Sequence, residues 1–530
     1  LGVSVRLFTT VAGLRCYLDL YRREQHSSGE LGAYNTPEIG SDSAIGLVPT
    51  MGALHAGHLS LLQQARRQNK LVVVSIFVNP LQFGPNEDFQ RYPRSLDQDR
   101  TVCTQAGVDL IFAPTPEEIG IGSTPPPHPT QVVPPDYMTA NLCGRSRRGH
   151  FQGVATIVTK LLNLVQPNRA YFGQKDAQQL AIIRRIVADL NLPVEIVGCP
   201  IVREPSGLAM SSRNQFLTAE QRQQASVLYR SLKRAEHLFQ AGERSNVVLV
   251  RAVNAELETM SAIAPDYVEL VHPLTMLPLD TVEDQGLLAV AVHLGSTRLI
   301  DNVLLSKRKP IVAIDGPAGA GKSTVARQLA QQLGLLYLDT GAMYRAITWL
   351  VLQSTLAIDD QPAIAELVSQ SEILVGGEPS SVRVQIDGID VTQKIRSLDV
   401  TATVSAIAAQ PIVRQELVRQ QRRYGEAGGI VIEGRDIGTH VFPDAELKIF
   451  LTASVQERAR RRHQDLRNQG NGEISLDELE QAIYERDRKD STRTLAPLRK
   501  AVDAIEVQTD TLTIADVVNR IAALYWQICS

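Results

Sequence analysis

Residues 71–78 form a run rich in β-branched residues and apolar at every position but Ser75, stopping at Asn79 and Pro80, the pattern of a parallel strand buried on both faces with a loop at its carboxyl end. Runs of the same kind at 45–48 and 311–314 each lead through a small-residue loop into a helix start, and the second predicts a helix over 324–333. A first helix is expected before residue 26, then a Ser-, Gly-, Asn- and Pro-rich loop over 26–43 that reads as a tolerated surface insertion. A Pro-rich loop at 124–135 and a turn at 141–150, carrying Arg145, Arg147 and Arg148, precede a helical run over 153–164. Strands and helices alternate to about residue 202, the order of an open, doubly wound α/β sheet. Residues 218–262 turn strongly helical and 266–305 read as several short strands, a small α+β domain closing over the first. The basic stretch at 306–310 then leads into a new buried strand. The expected boundaries are 1–202, 203–305, a linker at 306–309, and 310–530.

Bulk properties narrow this picture by exclusion. A chain of 530 residues exceeds what one hydrophobic core organises, and 44% hydrophobic with 21% charged residues is the balance of a globular protein. A net charge of -3 leaves no bulk basic field for nucleic acid. The five cysteines are scattered without a C-x-x-C pair, which suits a reducing cytosol better than a zinc site or disulfide scaffold. There is no apolar stretch long enough for a membrane span, and no basic-then-apolar order at the start that marks a secretory signal. The expectation is a cytoplasmic protein; residues 1–5, before any methionine, are assigned no function.

Two phosphate-handling signatures supply the chemistry. In the first, His55 and His58 fall three apart at a helix start, so they share a face and approach one triphosphate together, while Gly57 between them removes an obstructing side chain. Gly173, Gln174, Lys175 and Asp176 offer a phosphate cation and a ribose acceptor, and Met210, Ser211, Ser212 and Arg213 offer hydroxyl and guanidinium donors. In the second, Gly316, Gly319 and Gly321 with Lys322, Ser323 and Thr324 make a P-loop between strand and helix: backbone N–H groups cradle phosphates, Lys322 bridges the outer two and Ser323 ligates Mg²⁺. Arg345, Arg435, Arg486 and Arg493, with Arg458, Arg460, Arg461 and Arg462 on a candidate lid helix, offset repulsion between two anionic nucleotides; the run 458–462 also reads as a solvated face.

The segments PTMGALHAGH, VSIFVNPLQFGPNEDFQRYPRSLDQD, RRGHFQGVATIVTKLLNLVQPNRAYFGQKDAQQL, IVGCPIVREPSGLAMSSRN and STRLIDN resemble pantothenate synthetase over residues 6–305. The resemblance implies a Rossmann-like nucleotidyltransferase fold with a small α+β C-terminal domain, joining pantoate to β-alanine through pantoyl adenylate. It implies ATP held by Met51, Gly52, His55, Gly57 and His58, by Gly173, Gln174, Lys175 and Asp176, by Val202, and by Met210, Ser211, Ser212 and Arg213, with His58 as proton donor. Gln82 and Gln179 would hold pantoate, Gln82 also lying near β-alanine; neutral amides bind a hydroxy acid without a competing countercharge. In the acidic patch after YPR, Gln98 replaces an expected acid while Asp97 and Asp99 stay, and Asp99 is carried as a Mg²⁺ residue.

The segments around Asp339 to Arg345, Val404 to Arg414, Glu433 to Asp436 and Glu485 to Arg493 resemble cytidylate kinase over 310–527, implying a P-loop nucleoside monophosphate kinase fold. Ser405, Arg414 and Asp436 would read the cytosine edge, Arg345, Arg435 and Arg486 hold the monophosphate beside Thr340, and Asp490 contact the sugar. The strand-rich stretch 382–391 resembles that family's enlarged monophosphate domain. Thr340, Glu433 and Lys489 stand where the family often has Ser, Asp and Arg. The expected partners are ATP with Mg²⁺, pantoate, β-alanine and CMP or dCMP, with no nucleic acid or membrane and a homodimer through the first half. Alternatives left open are a cytidylyltransferase-like first half with an adenylate or uridylate kinase, and a nucleotide-gated scaffold without turnover.

Overall fold

Strands β1 (Arg6–Phe8), β2 (Ile45–Thr50), β3 (Leu71–Ile76), β4 (Leu110–Phe112), β5 (Arg169–Gly173) and β6 (Glu195–Cys199) form one parallel sheet in the computed structural model, in the order β1-β4-β3-β2-β5-β6. The structure describes residues 5–27, 44–84, 89–122, 130–377, 381–468, 475–492 and 496–529. Most of the expected 26–43 loop, part of 124–135 and Arg493 lie outside them. The reason the 71–78 run carries no polar alternation is visible at β3. Val73 joins the core on one face of the sheet, while Val72 and Val74 join the core on the other.

The chain leaves β2 toward β3 on one side of the sheet and β5 toward β6 on the other. Order therefore reverses between the neighbours β2 and β5, which opens a crevice at their carboxyl ends. The histidine segment follows β2 and residues 174–176 follow β5, so both sit there. The helix expected over 153–164 runs His150–Val165, opening three residues earlier because Gly149, at φ +80°, makes the turn into it.

Helices Ala219–Gln224, Val227–Gln240 and Asn246–Leu257 fill the helical stretch. Leu228, Leu232, Ala235 and Phe239 on the second of these turn one stripe onto an antiparallel sheet, β7 (Ile263–Val271), β8 (Gln285–Leu294) and β9 (Thr297–Ser306). Where several short strands were expected, three strands of 9, 10 and 10 residues stand, because Gly295 and Ser296 alone turn β8 into β9.

Two compact units divide the chain, Leu1–Lys307 and Arg308–Ser530. In the second, β10 (Val312–Asp315), β11 (Leu336–Asp339), β15 (Ile430–Glu433), β16 (Leu447–Thr452) and β17 (Ile505–Gln508) form a parallel sheet in the order β11-β15-β10-β16-β17. A separate antiparallel sheet of β12 (Ile373–Gly376), β13 (Arg383–Ile386) and β14 (Ile389–Asp390) is the strand-rich stretch. The helix after the P-loop is Lys322–Leu333, beginning two residues before the expected start because Gly321, at φ +88°, serves as its N-cap.

Candidate active sites

At the end of β2 the chain turns through Gly52, at φ +82°, and Ala53, at φ +51°, into the helix Ala56–Gln68. Asp99 holds that turn. Its Oδ2 accepts from the Ala53 N–H at 3.0 Å and its Oδ1 from the Leu54 N–H at 2.8 Å, and it is 2% exposed. A Cβ at Gly52 would come within 2.9 Å of that Oδ2. Asp99 is thus corrected from a Mg²⁺ ligand to a buried clamp on the loop, both oxygens being taken by backbone donors.

His55 is the N-cap of the helix, its Nδ1 accepting from the Gly57 N–H at 3.1 Å, and His58 Nδ1 accepts from the His55 N–H at 3.3 Å. The rings lie 4.1 Å apart. Burial and Lys175 lower His55 to about 4; burial, His55 and Lys175 lower His58 to about 3. Both are neutral near pH 7, and with Nδ1 accepting, the His58 proton is on Nε2. His58 accordingly offers a neutral N–H as hydrogen-bond donor. Gly57 is required for a nearer reason than the triphosphate: a Cβ there would meet the His55 ring at 2.9 to 3.0 Å.

Across the crevice, β5 delivers Gly173 and the single turn Gln174–Asp176. Asn302 on β9 donates from Nδ2 to the carbonyls of Gln174 at 3.1 Å and Lys175 at 2.9 Å. Next to it, Asp301 takes Arg203 in two bonds of 2.6 and 3.0 Å. Arg203 lies over the Tyr229 ring and donates to the Gly207 carbonyl, shaping the segment in which Met210 N–H bonds the Val202 carbonyl at 2.9 Å. Ser211 then caps the short turn Ser212–Phe216, and the Ser212 hydroxyl meets Tyr92 at 3.4 Å.

Gln82 donates to Met51 Sδ at 2.9 Å and accepts from Asn79 at 3.1 Å. Its backbone carbonyl is held by His150 Nδ1 at 2.8 Å and Arg147 at 3.3 Å. Helix His150–Val165 reaches this close because Gly153 has no side chain; a Cβ would sit 2.2 Å from the Leu81 carbonyl oxygen. One cleft of about 240 Å³ is lined by Met51, His55, Gly57, His58, Gln82, Gly173, Lys175, Asp176, Gln179, Val202 and Met210 to Arg213. Gly52 and Gln174 are not among its lining residues. A second cavity of about 620 Å³ shares Lys175, Asp176, Gln179, Ser211 and Arg213 with it.

In the second unit Gly316, at φ +148°, brings the P-loop against β16, where a Cβ would lie 2.1 Å from the Leu451 carbonyl oxygen. Lys322 is buried and donates to the Pro317 carbonyl at 2.7 Å; burial and Arg435 hold it below the usual lysine range against the pull of Glu433 and Asp315. Ser323 donates to Glu433 Oε2 at 2.9 Å, while Tyr337 hydrogen-bonds the other carboxylate oxygen. Burial and Asp339 raise Glu433 above its ordinary range. A hydroxyl and a carboxylate side by side at the P-loop are hard oxygen donors of the kind Mg²⁺ takes alongside phosphate oxygens. Thr324 is exposed on the helix. Asp315, which burial raises to about 6, accepts from Ile437 N–H at 2.8 Å and Gly438 N–H at 2.7 Å, fixing the segment after Asp436.

Arg414 and Asp436 form a buried ion pair of 2.5 Å, with Tyr344 beneath the guanidinium at 5.5 Å. Arg435 bonds Asp490 at 3.0 Å. Arg486 is pushed below its usual range by burial and then by Arg435, Arg345 and Arg462, with Asp490 opposing: a cluster of cations whose repulsion an anion would relieve. Thr340 is a correction, since its buried hydroxyl donates to the Glu433 carbonyl at 2.7 Å and so supports the loop instead of facing a nucleotide. Ser405 is exposed on the helix Leu398–Ala408, and only Arg414 and Asp436 of the expected base readers meet directly.

The 458–462 run divides by function. Arg458, 3% exposed, bonds Asp487 at 3.0 and 2.6 Å and the P-loop carbonyl of Ala318 at 3.1 Å. Arg461 bonds Thr509, Arg462 joins the cation cluster, and Arg460 meets solvent beside Glu457. Sequence reasoning passed over Asn302, Asp301, Arg203 and Glu433 as working parts, although the STRLIDN and EGRD segments carrying three of them had been singled out.

A family model described as pantoate-beta-alanine ligase matches residues 26–304 and one described as cytidylate kinase matches residues 312–527. A protein of Trichormus variabilis described as a bifunctional pantoate ligase/cytidylate kinase is 62% identical, over 99% of this chain and 99% of its own. One of the same description from Trichodesmium erythraeum is 55% identical over 99% and 98%. A crystal structure of pantoate-beta-alanine ligase (pantothenate synthetase) from Thermus thermophilus is 45% identical, covering 56% of this chain and 99% of its own, at TM-score 0.50.

Proposed function

The chain belongs to the bifunctional pantoate ligase/cytidylate kinase family, and from that premise we propose how each half performs its reaction. In the first, a pantoate carboxylate oxygen attacks the α-phosphorus of ATP as the bond to pyrophosphate breaks. The β-alanine amine then attacks the acyl carbon as the bond to AMP breaks. His55 and His58 donate neutral N–H groups to the triphosphate, Lys175 and Arg213 offset its charge, and Ser211 and Ser212 complete the donor set. Gln82 and Gln179 hold pantoate, with a substrate oxygen replacing the weak thioether acceptor that Gln82 now uses. The observation that carries this reading is the single cleft gathering both histidines, Lys175 and both glutamines.

In the second half a CMP phosphate oxygen attacks the γ-phosphorus and ADP leaves. Lys322 exchanges the Pro317 carbonyl for phosphate, and Arg345, Arg435, Arg462 and Arg486 take the charge between the two nucleotides. Arg414 and Asp436 face the base and Asp490 the sugar. Ser323 and Glu433 would hold Mg²⁺, whose charge offsets that of the phosphates when bound; in the ligase half Mg²⁺ enters only as the nucleotide's counterion. The reading includes a homodimer through the first half, resting on family resemblance, and a cytoplasmic setting, supported by the free thiols of Cys16, Cys103, Cys143 and Cys199.

The test is ATP consumption by the full chain, with pantoate and β-alanine in one tube and CMP in another. Pantothenate with AMP in the first, and CDP with ADP in the second, are expected. Phosphorylation of AMP or UMP in preference to CMP would overturn the assignment of Arg414 and Asp436.

A further inference from the structure

The C-terminal lobe of the first unit contributes through one strand. Asn302 on β9 donates both its Nδ2 bonds to the carbonyls of Gln174 and Lys175, and Lys175 is the one lysine among the described residues lining the ATP cleft. Asn302 is 8% exposed and Asp301 2%, so neither is a surface residue caught in a passing contact. Asp301 in turn ties Arg203, which bonds within the 202–210 segment whose Val202 and Met210 line the same cleft. Two adjacent residues of one strand thus reach two segments of the cleft lining. The three-residue turn joins the end of β5 to the helix Ala177–Asp189, and the Asn302 amide is the side chain that takes the carbonyls of its first two residues.

We propose that Asn302 is a positioning residue for adenylate formation, holding the Lys175 turn so that its ammonium meets the charge developing on the triphosphate. The effect belongs to the first step. Once pyrophosphate has left, less charge faces Lys175, and attack by the amine depends less on where that turn stands. The inference rests on the reading of Lys175 as the nucleotide cation, and the experiment separates the two.

In the full-length chain, Asn302→Asp keeps the side-chain shape, removes both donors and sets a carboxylate against two carbonyls; Asn302→Ser is the uncharged companion. Pantoate-dependent exchange of pyrophosphate into ATP reports the first step, and pantothenate formation from supplied pantoyl adenylate and β-alanine reports the second. Exchange kcat is expected to fall about tenfold or more in Asn302→Asp and less in Asn302→Ser, with the second step within about threefold and the pantoate KM within about twofold. The deficit of Asn302→Asp should shrink as pH falls from about 8 to about 6, because a buried carboxyl with a raised pKa regains one donor on protonation. Equal losses in both steps, or a deficit that ignores pH, would reduce Asn302 to a structural residue and overturn the proposal. Lys175→Ala distinguishes the parent reading: if it leaves exchange intact, that reading fails, whereas if it abolishes exchange while both Asn302 variants behave as the parent, only the positioning role fails.

Discussion

Asp99 shows how a carboxylate in a nucleotide enzyme can act without touching the nucleotide. Its two charge-assisted bonds to the 53–54 backbone hold a turn with positive φ at Gly52 and Ala53, a conformation that Ala53 adopts only under restraint. Asp99→Ala should raise the ligase KM for ATP about tenfold, on the scale of about 1.5–3 kcal/mol for hydrogen bonds to a charged group, and leave the Mg²⁺ titration midpoint unmoved. A shifted midpoint would return Asp99 to the metal. His58 gives a second prediction. Its folded value of about 3 lies below the ordinary 6.5, so below pH 6.5 the unfolded chain takes a proton that the folded chain refuses, and stability is lost as pH is lowered. His58 contributes a slope of at most about 1.4 kcal/mol per pH unit between about pH 6.5 and 3, beside a like one from His55, whose value is lowered to about 4, so the slope should be roughly halved in His58→Asn, read from urea midpoints of the first unit. The sequence revealed which residue types crowd the site. It could not reveal that Asp99 faces backbone or that the Thr340 hydroxyl is spent on the Glu433 carbonyl, because such commitments depend on partners 45 and 93 residues away.

Elements whose signal is local were legible: β3 from a nearly continuous apolar run, the P-loop helix from glycines ahead of it. The helix Val455–Asn468 was not. Its five-residue basic run reads identically whether it faces solvent, nucleotide or a neighbouring helix, and the structure assigns different neighbours to Arg458, Arg460, Arg461 and Arg462. Arg458 joins the P-loop to Asp487 on the helix Leu476–Thr492, which also carries Arg486 and Asp490. Arg458→Ala strips a partner from Asp487 and a donor from the P-loop, and should lower kinase kcat by more than tenfold. Arg460→Ala, which frees only an exposed Glu457 pair, should keep activity within about twofold; equal losses in the two variants would refute the division of labour.

The whole chain carries two activities whose chemistry is not expected to interlock, since neither AMP nor pantothenate is the preferred acceptor of a cytidylate kinase. His58→Ala should silence the ligase and spare CMP phosphorylation, and Lys322→Ala the reverse; loss of both activities in either variant would reveal coupling. Each compact unit is also a continuous stretch of sequence, the first ending at Lys307. The nucleotide segments of the ligase are all made by residue 213, yet the strand whose Asn302 ties down the Lys175 turn is the last element of that unit. On a ribosome adding about 5–20 residues per second, the ligase cleft therefore waits, nearly assembled, for its final strand. That strand is made while the kinase half is still on the order of tens of seconds from release. Newly made chains are expected to complete the synthetase fold before the kinase fold.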